Sequence, residues 1–545
     1  MKKTDNNNDE LFSKLPETES LSSNIDRRTF IIRNAVIGAA AVMTGTTWTR
    51  EARAAQATKE AATKEAAKAG APLGSTPLSP DLDVVKQSKG PVMTIVSEMY
   101  KVGPGPSSSH TIGPMRITYD FYQRCSKLPA DQLAKATGLK VHLFGSLSAT
   151  GQGHGTERAA LAGLLGKEPA TVDPLFLDEM KEKPDQSYPL KLGDKTFNLS
   201  LKDVVYDSPK GNFPHPNTMT CKLMGGDKAI YELEYYSPGG GFYEWKGYTP
   251  PKKGQPKYPY ATMKELREHA EKNNLSIAQV IMANELAISG KTEDEINAFL
   301  DKIAGAMVAT VKAGLAVSED NVLPGPIKLH SKAATVYKRA QDDQYDTDKA
   351  VALLSACALA ASEENARGHL VITAPTGGSA GVMPAIVYAL MEGPRQVPID
   401  KIRQGLLAGA AIGYLCKHNA TLSGAEGGCQ SEIGVASGMT AALIAQVMDS
   451  SPQVLENAAE SAIEHHLGLT CDPVAGYVQV PCIERCAFGA VKAWTAFMVA
   501  TNEIASRHRV DLDTTIKTLA DTGKDMSTKY KETSEAGLAA NLVLC

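Results

Sequence analysis

A proline-rich stretch in the middle of the chain separates two halves with different hydrophobic patterns. Residues 248–260 (YTPPKKGQPKYPY) contain four prolines and no apolar period, which is typical of a linker. Before it, segments such as 139–144 (LKVHLF) alternate apolar and polar residues as half-buried strands do. After it the chain is rich in alanine and carries helical apolar spacing, for example over residues 263–272. We therefore predict an α+β domain over residues 83–250, followed by a mostly α-helical domain over residues 260–545.

The first 82 residues lack the pattern of a folded domain. An arginine pair at 27–28 precedes a short apolar run and an Ala-Arg-Ala sequence, which is the order found in a twin-arginine export signal. We predict such a signal over residues 1–55 and an Ala/Lys/Glu-rich linker over residues 56–82. The run is too short to span a bilayer, so no stable membrane anchor is expected. The alternative is a polar tail with a chance arginine pair.

This signal predicts a periplasmic protein that is carried by the twin-arginine export machinery. That machinery transports folded proteins, often with cofactors inserted in the cytoplasm, so the signal also raises the expectation of a cofactor. A cytoplasmic location is the alternative.

The charge balance and the cysteine count exclude two classes of protein. The chain has 57 Lys and Arg against 61 Asp and Glu, whereas a protein that coats nucleic acid is normally basic, so no nucleic-acid partner is expected. Nine cysteines in 545 residues are too few for a disulfide scaffold. An odd number also leaves at least one thiol unpaired within the chain. The cysteines therefore require a specific explanation.

Three cysteines of the second half lie close to glycine or proline. They are Cys429 (in SGAEGGCQ), Cys471 (in GLTCDP) and Cys482 (in VQVPCIER). In such loops the backbone can approach an inorganic cluster closely. The spacing of ordinary zinc and ferredoxin sites is missing. Small cysteines are also common in alanine-rich cores, and this is the preferred interpretation for four others: Cys125, Cys221, Cys357 and Cys416.

Many segments, in order, resemble the iron–sulfur-dependent L-serine dehydratases (L-serine ammonia-lyases) of the single-chain type. The resemblance covers residues 91–545. The segments that carry it are 103–115 (GPGPSSSHTIGPM), 151–156 (GQGHGT), 237–242 (SPGGGF), 374–378 (APTGG), 423–432 (SGAEGGCQSE), 464–485 and 521–545. It implies a smaller β-type domain before a helical catalytic domain. It also implies that the enzyme converts its substrate L-serine to pyruvate and ammonia, in serine catabolism and gluconeogenesis.

The resemblance implies a [4Fe–4S] cluster held by Cys429, Cys471 and Cys482. Three ligands leave one iron open, and that iron can act as a Lewis acid on the substrate hydroxyl. The terminal Cys545 is a conditional ligand, because in this family the last residue can cap the open iron until serine displaces it. Cys486 stands where the family often has asparagine, and is either a buried neighbour, an alternative ligand or a point of oxidation.

His110 is the predicted catalytic base that removes the α-proton, since a neutral imidazole is available near pH 7. Its neighbours Ser108, Ser109 and Thr111 offer hydroxyl and N–H groups for the substrate carboxylate. Flanking prolines would stiffen this loop. The alternative is a serine-rich surface loop with an incidental histidine. A Ser/His hydrolase fits less well, because no Gly-x-Ser-x-Gly sequence surrounds these serines.

A second predicted substrate-binding loop contains Thr376, Gly377 and Gly378, whose N–H groups and hydroxyl could hold the carboxylate or the ammonium group. A plain turn is the alternative. The family commonly has asparagine at the position of Gly377, which leaves the fine substrate preference open. His154 and His215 either contact and orient the residues that bind the substrate or are ordinary polar turn residues.

Two other functions are also compatible with the sequence. A cysteine desulfidase would expel hydrosulfide at a similar cluster. An exported iron–sulfur electron carrier or redox protein would instead need four fixed cysteines and no open iron, and the scattered Ser/Thr/His loops argue against it. We further expect the chain to form a homodimer.

Overall fold

The computed structural model describes residues 90–248 and 253–542. The predicted export signal, the predicted linker over residues 56–82 and Cys545 lie outside these ranges. Within them, no helix combines the length and apolar character that crossing a membrane requires.

A five-stranded mixed sheet forms the centre of the first half, with the strand order β5-β2-β6-β7-β8. Its strands are β2 (Gly138–Leu143), β5 (Val204–Tyr206), β6 (Thr218–Gly225), β7 (Lys228–Tyr236) and β8 (Glu244–Trp245). Strand β2 runs parallel to β5, and the other pairs are antiparallel. A separate hairpin joins β3 (Tyr188–Leu192) to β4 (Lys195–Leu199). The strand predicted over residues 139–144 is confirmed as β2.

Short helices cover this sheet. They are α2 (Gly113–Cys125), α3 (Ala130–Leu133), α4 (Ser146–His154), α5 (Thr156–Leu164) and α6 (Pro174–Glu182), whereas α1 (Val96–Met99) packs against the helical half. Helices α2 and α5 pack closely, and their buried side chains join those of the sheet in one hydrophobic core that includes Phe121, Val141 and Leu161. A Cβ on Gly163 would lie 2.0 Å from the Thr118 hydroxyl oxygen, so the close approach of the two helices requires glycine there.

The second half is almost entirely helical. Its helices are α7 (Met263–Lys272), α8 (Ile277–Ser289), α9 (Glu293–Leu315), α10 (Ala333–Gln341), α11 (Asp346–Arg367), α12 (Val382–Met391), α13 (Ile399–Asn419), α14 (Gly424–Gly427), α15 (Val435–Val447), α16 (Pro452–Glu464), α17 (Cys482–Asn502), α18 (Leu512–Asp525) and α19 (Leu538–Asn541). The prediction of an α+β part followed by a mostly helical part is confirmed.

Local sequence determines where several of these helices begin. Helices α7, α8 and α9 each start with a capping box, in which the N-cap hydroxyl accepts from the N3 backbone and the N3 side chain accepts from the N-cap. The three pairs are Thr262 with Glu265, Ser276 with Gln279, and Thr292 with Glu295. These caps satisfy N–H groups that a helix start otherwise leaves unpaired.

Helix α15 lies at the centre of the helical half. All of its 13 residues are buried, and helix α13 packs along it. Small residues allow this contact, because a Cβ on Gly409 of α13 would lie 2.8 Å from the Met439 carbonyl oxygen of α15. The buried position of α15 bears on the position of Cys429, because this cysteine lies just before the π-helical turn Gln430–Gly434 that leads into the helix.

A short strand pair connects the two halves. Strand β1 (Lys101–Pro104) pairs antiparallel with β9 (Leu370–Thr373), although about 270 residues separate them in sequence. The segment before β1 packs into the core of the helical half, with Val96 and Tyr100 buried there. This pairing places the serine-rich loop at 107–111 beside the loop at 374–378. The two loops approach so closely that a Cβ on Gly377 would lie 2.7 Å from the backbone nitrogen of Ser108.

Candidate active site

Segments that are far apart in sequence meet around one small buried cavity. Its chemically active lining comprises three cysteines, two glutamates, a histidine and a serine: Cys429, Cys471, Cys482, Glu432, Glu532, His154 and Ser107. The structure thus brings together the three cysteines that the family resemblance implied as ligands.

The three cysteines reach the cavity from three separate segments of the chain. Cys429 ends the turn after α14, and its Sγ, the Sγ of Cys471 and a carboxylate oxygen of Glu432 all lie within 4.8 Å of one another. Cys471 lies in an extended loop, and its backbone N–H donates to the carbonyl oxygen of Tyr530 at 2.8 Å. Cys482 is the first residue of α17. Because two of the three lie on loops and one at a helix start, their sulfurs can converge without distorting a helix.

The electrostatics favour a thiolate at Cys429. The Cys471 thiol donates to its sulfur and the Arg485 guanidinium lies nearby, so that the pKa of Cys429 is lowered to about 7 despite burial. Arg485 is itself held by the Thr470 carbonyl oxygen, which accepts from Nη1 at 2.6 Å. The pKa of Cys471 is raised well above its usual value by that hydrogen bond and by burial. A thiolate is the form of cysteine that binds metal ions.

Glycines give the sulfurs room. A Cβ on Gly424 would lie 2.9 Å from a carboxylate oxygen of Glu432 and 3.3 Å from the Sγ of Cys471. Gly428 has a φ of +75°, and a Cβ there would lie 2.7 Å from the Leu469 carbonyl oxygen. A larger residue at position 424 would push into the space beside Cys471, and Gly428 permits the left-handed turn just before Cys429.

His110 lies just behind the cavity and is fully buried. Its Nδ1 is 2.8 Å from the Ser109 hydroxyl, and its Nε2 is 3.0 Å from the Ser146 hydroxyl. Ser146 donates its own proton to the carbonyl oxygen of Glu532, so it accepts from Nε2–H and leaves Nδ1 to accept from Ser109. Burial and the neighbouring His154 lower the pKa of His110 well below its usual value, which keeps the ring neutral.

His110 is not among the described residues that line the cavity. The hydroxyl of Ser109 connects it to Ser107, which does line the cavity. The Ser109 hydroxyl lies 3.2 Å from that of Ser107, which lines the cavity. The other predicted residues of this loop face differently. Thr111 donates its hydroxyl to the carbonyl oxygen of His154 at 2.8 Å, whereas the Ser108 hydroxyl is buried and has no partner among the described residues.

The second predicted loop borders the cavity from the other side. Gly378 lines it. The Thr376 hydroxyl lies 3.1 Å from that of Ser379 and also bonds the Glu432 carboxylate. A Cβ on Gly377 would lie 2.7 Å from the backbone nitrogen of Ser108, so an asparagine there would require the serine loop to move. Cys486 donates its thiol to the Gly378 carbonyl oxygen at 3.2 Å, behind the lining residues.

His154 and His215 have different surroundings. His154 is fully buried at the end of α4, and its ring centroid lies 4.6 Å from that of His110. His215 instead lies with Nε2 at 3.1 Å from a carboxylate oxygen of Glu426, so it ties the first half to α14 rather than facing the cavity.

Sequence reasoning missed four residues of this site: Glu432, Glu532, Arg485 and Ser146. Glu432 and Arg485 each lie three residues after a predicted ligand, a spacing that alone identifies no role. Glu532 follows Lys529, Tyr530 and Lys531 in a polar segment, where a glutamate is usually solvated. Only its position within the segments that carry the family resemblance could have drawn attention to it.

Comparisons with known proteins agree on one family. Residues 95–247 match the family model described as the serine dehydratase beta chain, and residues 272–539 match that of the serine dehydratase alpha chain. The chain is 40% identical over 458 residues to an L-serine dehydratase of Streptomyces coelicolor, covering 83% of this chain and 99% of that protein. It is 39% identical over 463 residues to L-serine dehydratase 2 of Escherichia coli, covering 83% and 100%. An L-serine dehydratase of Haemophilus influenzae is 38% identical over 460 residues, again covering 83% and 100%.

Proposed function

Because the chain belongs to the single-chain L-serine dehydratase family and is a lyase, we propose that it converts L-serine to pyruvate and ammonia at a [4Fe–4S] cluster held by Cys429, Cys471 and Cys482. The observation that carries this proposal is the convergence of these three cysteines on one cavity that Ser107 and His154 also line. The cavity therefore joins sulfur ligands to groups that can bind an amino acid and move its proton.

The residues present fit such a cluster. Iron–sulfur clusters are bound by thiolates, and this cavity offers three buried sulfurs, one of which, that of Cys429, is already stabilised as a thiolate by the Cys471 thiol and by Arg485. Gly424 keeps a side chain away from the space beside Cys471. When bound, a cluster with only three protein ligands supplies a Lewis acid for the departing β-hydroxyl group.

The chain itself supplies the base. His110 accepts the α-proton of serine at Nδ1, by way of the hydroxyls of Ser107 and Ser109 that connect it to the cavity. The carboxylate of Glu532, with Oε1 at 3.5 Å from Nδ1, stabilises the imidazolium that results. The electron pair of the Cα–H bond forms the double bond as the hydroxyl leaves with the C–O pair. The aminoacrylate then tautomerises, and water replaces nitrogen to give pyruvate and ammonia.

Glu432 gives the site a competing metal arrangement. Its carboxylate, Cys429 and Cys471 together could hold a single metal ion. In that arrangement Cys482 would not be required. The Cys482→Ala variant distinguishes the [4Fe–4S] cluster from a single metal ion. The cluster loses one of its three cysteine ligands in this variant, whereas a single ion keeps Cys429, Cys471 and Glu432.

The full chain, purified without air and reconstituted with iron and sulfide, tests the proposal. We expect about four irons per chain and pyruvate formation from L-serine, followed with a lactate dehydrogenase coupled assay. A loaded protein that makes no pyruvate would overturn the proposal. Faster turnover of L-cysteine than of L-serine would indicate a desulfidase, and reversible one-electron cycling without turnover would indicate an electron carrier.

Three further proposals concern parts outside the described residues or outside one chain. Cys545 is proposed to cap the open iron, and its deletion should speed loss of the cluster in air. Export is proposed to depend on the arginine pair at 27–28. Fractionation of cells that produce the protein with or without this pair tests the proposal. A cytoplasmic location of both forms would contradict it. The proposed homodimer is tested by the mass of the protein in solution.

A further inference from the structure

Glu532 is a buried carboxylate without a permanent cationic partner. Its side chain is 5% exposed, and the only basic groups of the described residues within 4.0 Å are the rings of His110 and His154. Oε1 lies 3.5 Å from Nδ1 of His110 and 3.7 Å from Nε2 of His154. The other oxygen, Oε2, has no hydrogen-bond partner among the described residues. Burial, together with the nearby Cys429 sulfur, raises the pKa of Glu532 to about 8, so the charged carboxylate is costly here unless a cation joins it.

His154 presents a lone pair beside that carboxylate. Its Nδ1 lies 2.8 Å from the carbonyl oxygen of Thr150, which can only accept, so Nδ1 carries the proton. Nε2 is therefore an acceptor, and it too is buried and without a hydrogen-bond partner among the described residues. Both His154 and Glu532 line the cavity that the three cysteines share.

We propose that Glu532 Oε2 and His154 Nε2 together bind the α-ammonium group of the substrate. This inference rests on the proposed function and extends it by naming the groups that select an amino acid. An ammonium group has three donors and one positive charge, which match an unpaired carboxylate oxygen and an unpaired imidazole lone pair. Pairing with this cation relieves the cost of burying Glu532.

The position of the ammonium group also suits the reaction. Cα is one bond away from the nitrogen, and Oε1 of the same carboxylate lies next to His110. An amine held by Glu532 therefore places the α-proton on the side of the cavity where Ser107 leads to His110.

The backbone holds Glu532 firmly in this position. Its N–H donates to the carbonyl oxygen of Cys471 at 2.7 Å, and its carbonyl oxygen accepts from Ser146 at 3.1 Å. Its φ of +57° lies in the left-handed region, which is rare for a residue other than glycine. Two long-range hydrogen bonds thus fix a residue in an uncommon conformation with its side chain in the cavity, as is frequent at binding sites.

Two analogues of serine test the inference on the iron-loaded full chain by anaerobic calorimetry. L-Alanine keeps the ammonium group and lacks the hydroxyl, whereas 3-hydroxypropionate keeps the hydroxyl and lacks the ammonium group. We expect Glu532→Gln to weaken the binding of L-alanine about 10- to 100-fold, as for loss of a charged hydrogen bond, and to change that of 3-hydroxypropionate less than about 3-fold. His154→Leu should weaken L-alanine in the same selective way.

A matched control is Glu285→Gln, which removes a buried carboxylate of α8 outside the cavity and should leave both affinities unchanged. Glu532→Asp, which keeps the charge, should retain part of the preference for L-alanine even if the glutamine variant folds poorly. Three results would overturn the inference: equally weakened binding of both analogues in the Glu532→Gln and His154→Leu variants, unchanged affinities in these variants, or no binding of L-alanine to the wild type. Selective loss of L-alanine in a protein that makes no pyruvate would support it while contradicting the proposed function.

Discussion

The backbone N–H of Glu532 donates to the carbonyl oxygen of Cys471 at 2.7 Å. This hydrogen bond fixes the segment that carries a buried carboxylate to the loop that carries a proposed cluster ligand. Sulfur ligand, carboxylate and the adjacent histidines therefore form one structural unit, although Cys471 and Glu532 are separated by helices α17 and α18. Metal binding and substrate binding are expected to depend on each other for this reason.

Removal of a proposed ligand should remove the iron. In Cys429→Ala the cavity loses the one cysteine that is stabilised as a thiolate, so we expect iron content to fall severely and pyruvate formation to fall at least about 100-fold. Iron analysis and the visible absorption spectrum provide the measurement. Cys125→Ala is the control, because Cys125 is buried in the core of the first half. Normal iron content in Cys429→Ala, or equal loss in both variants, would contradict the assignment.

Loss of the base should stop the reaction without loss of the metal. His110→Asn keeps a polar group between Ser109 and Ser146 but cannot accept the α-proton, and we expect kcat to fall about 10²- to 10⁴-fold. The iron content should be unchanged. The control is His142→Asn, whose histidine pairs with Asp207 in the first half, and activity there should stay within a few-fold of the wild type. A His110 variant that keeps its kcat would exclude this residue as the base.

Two glycines of helix α9 should respond to the same substitution with opposite signs. A Cβ on Gly314 would lie 2.3 Å from the carbonyl oxygen of Ala360, whereas one on Gly305 would meet nothing within 4 Å. Gly305→Ala should therefore raise the free energy of unfolding by about 0.5–1 kcal/mol through helix propensity. Gly314→Ala should lower it by about 1–3 kcal/mol because helices α9 and α11 must separate. Chemical denaturation measures both, and changes of the same sign would contradict the close packing of α9 on α11.

The helices could be predicted from the sequence more accurately than the site. Helix α7 begins and ends as its apolar spacing predicts, because the Thr262 and Glu265 capping box fixes its start. The meeting of Cys429, Cys471 and Cys482 was predictable only through the family resemblance. The β1–β9 pairing was not, because four-residue strands so far apart in sequence carry no local signal. Glu532 was missed since its burial arises from contacts with Cys471 and Ser146, which are distant in sequence.

A buried carboxyl group should make stability depend on pH. Burial raises the pKa of Glu285 to about 7, although Val96 N–H and the Tyr414 hydroxyl donate to it. Because the pKa is raised on folding, the protonated form stabilises the fold fully below about pH 4.5, and this contribution is lost as the pH rises through about 7. The loss is about 3 kcal/mol at 1.36 kcal/mol per unit of pKa.

Glu285→Gln removes this titration and keeps an oxygen acceptor for both donors. We therefore expect the free energy of unfolding of the wild type to fall more steeply between about pH 4.5 and pH 7 than that of the variant, as measured by urea denaturation across that range. Parallel pH profiles of the two proteins would contradict the raised pKa of Glu285.

Mössbauer spectroscopy of the air-free, iron-loaded protein, recorded with and without L-serine, tests the central claim most directly. Three cysteine ligands predict a [4Fe–4S] cluster with one iron that differs from the other three and whose isomer shift changes when L-serine is added. A single-iron spectrum, zinc in place of iron, or a cluster in which no isomer shift changes when L-serine is added would contradict it.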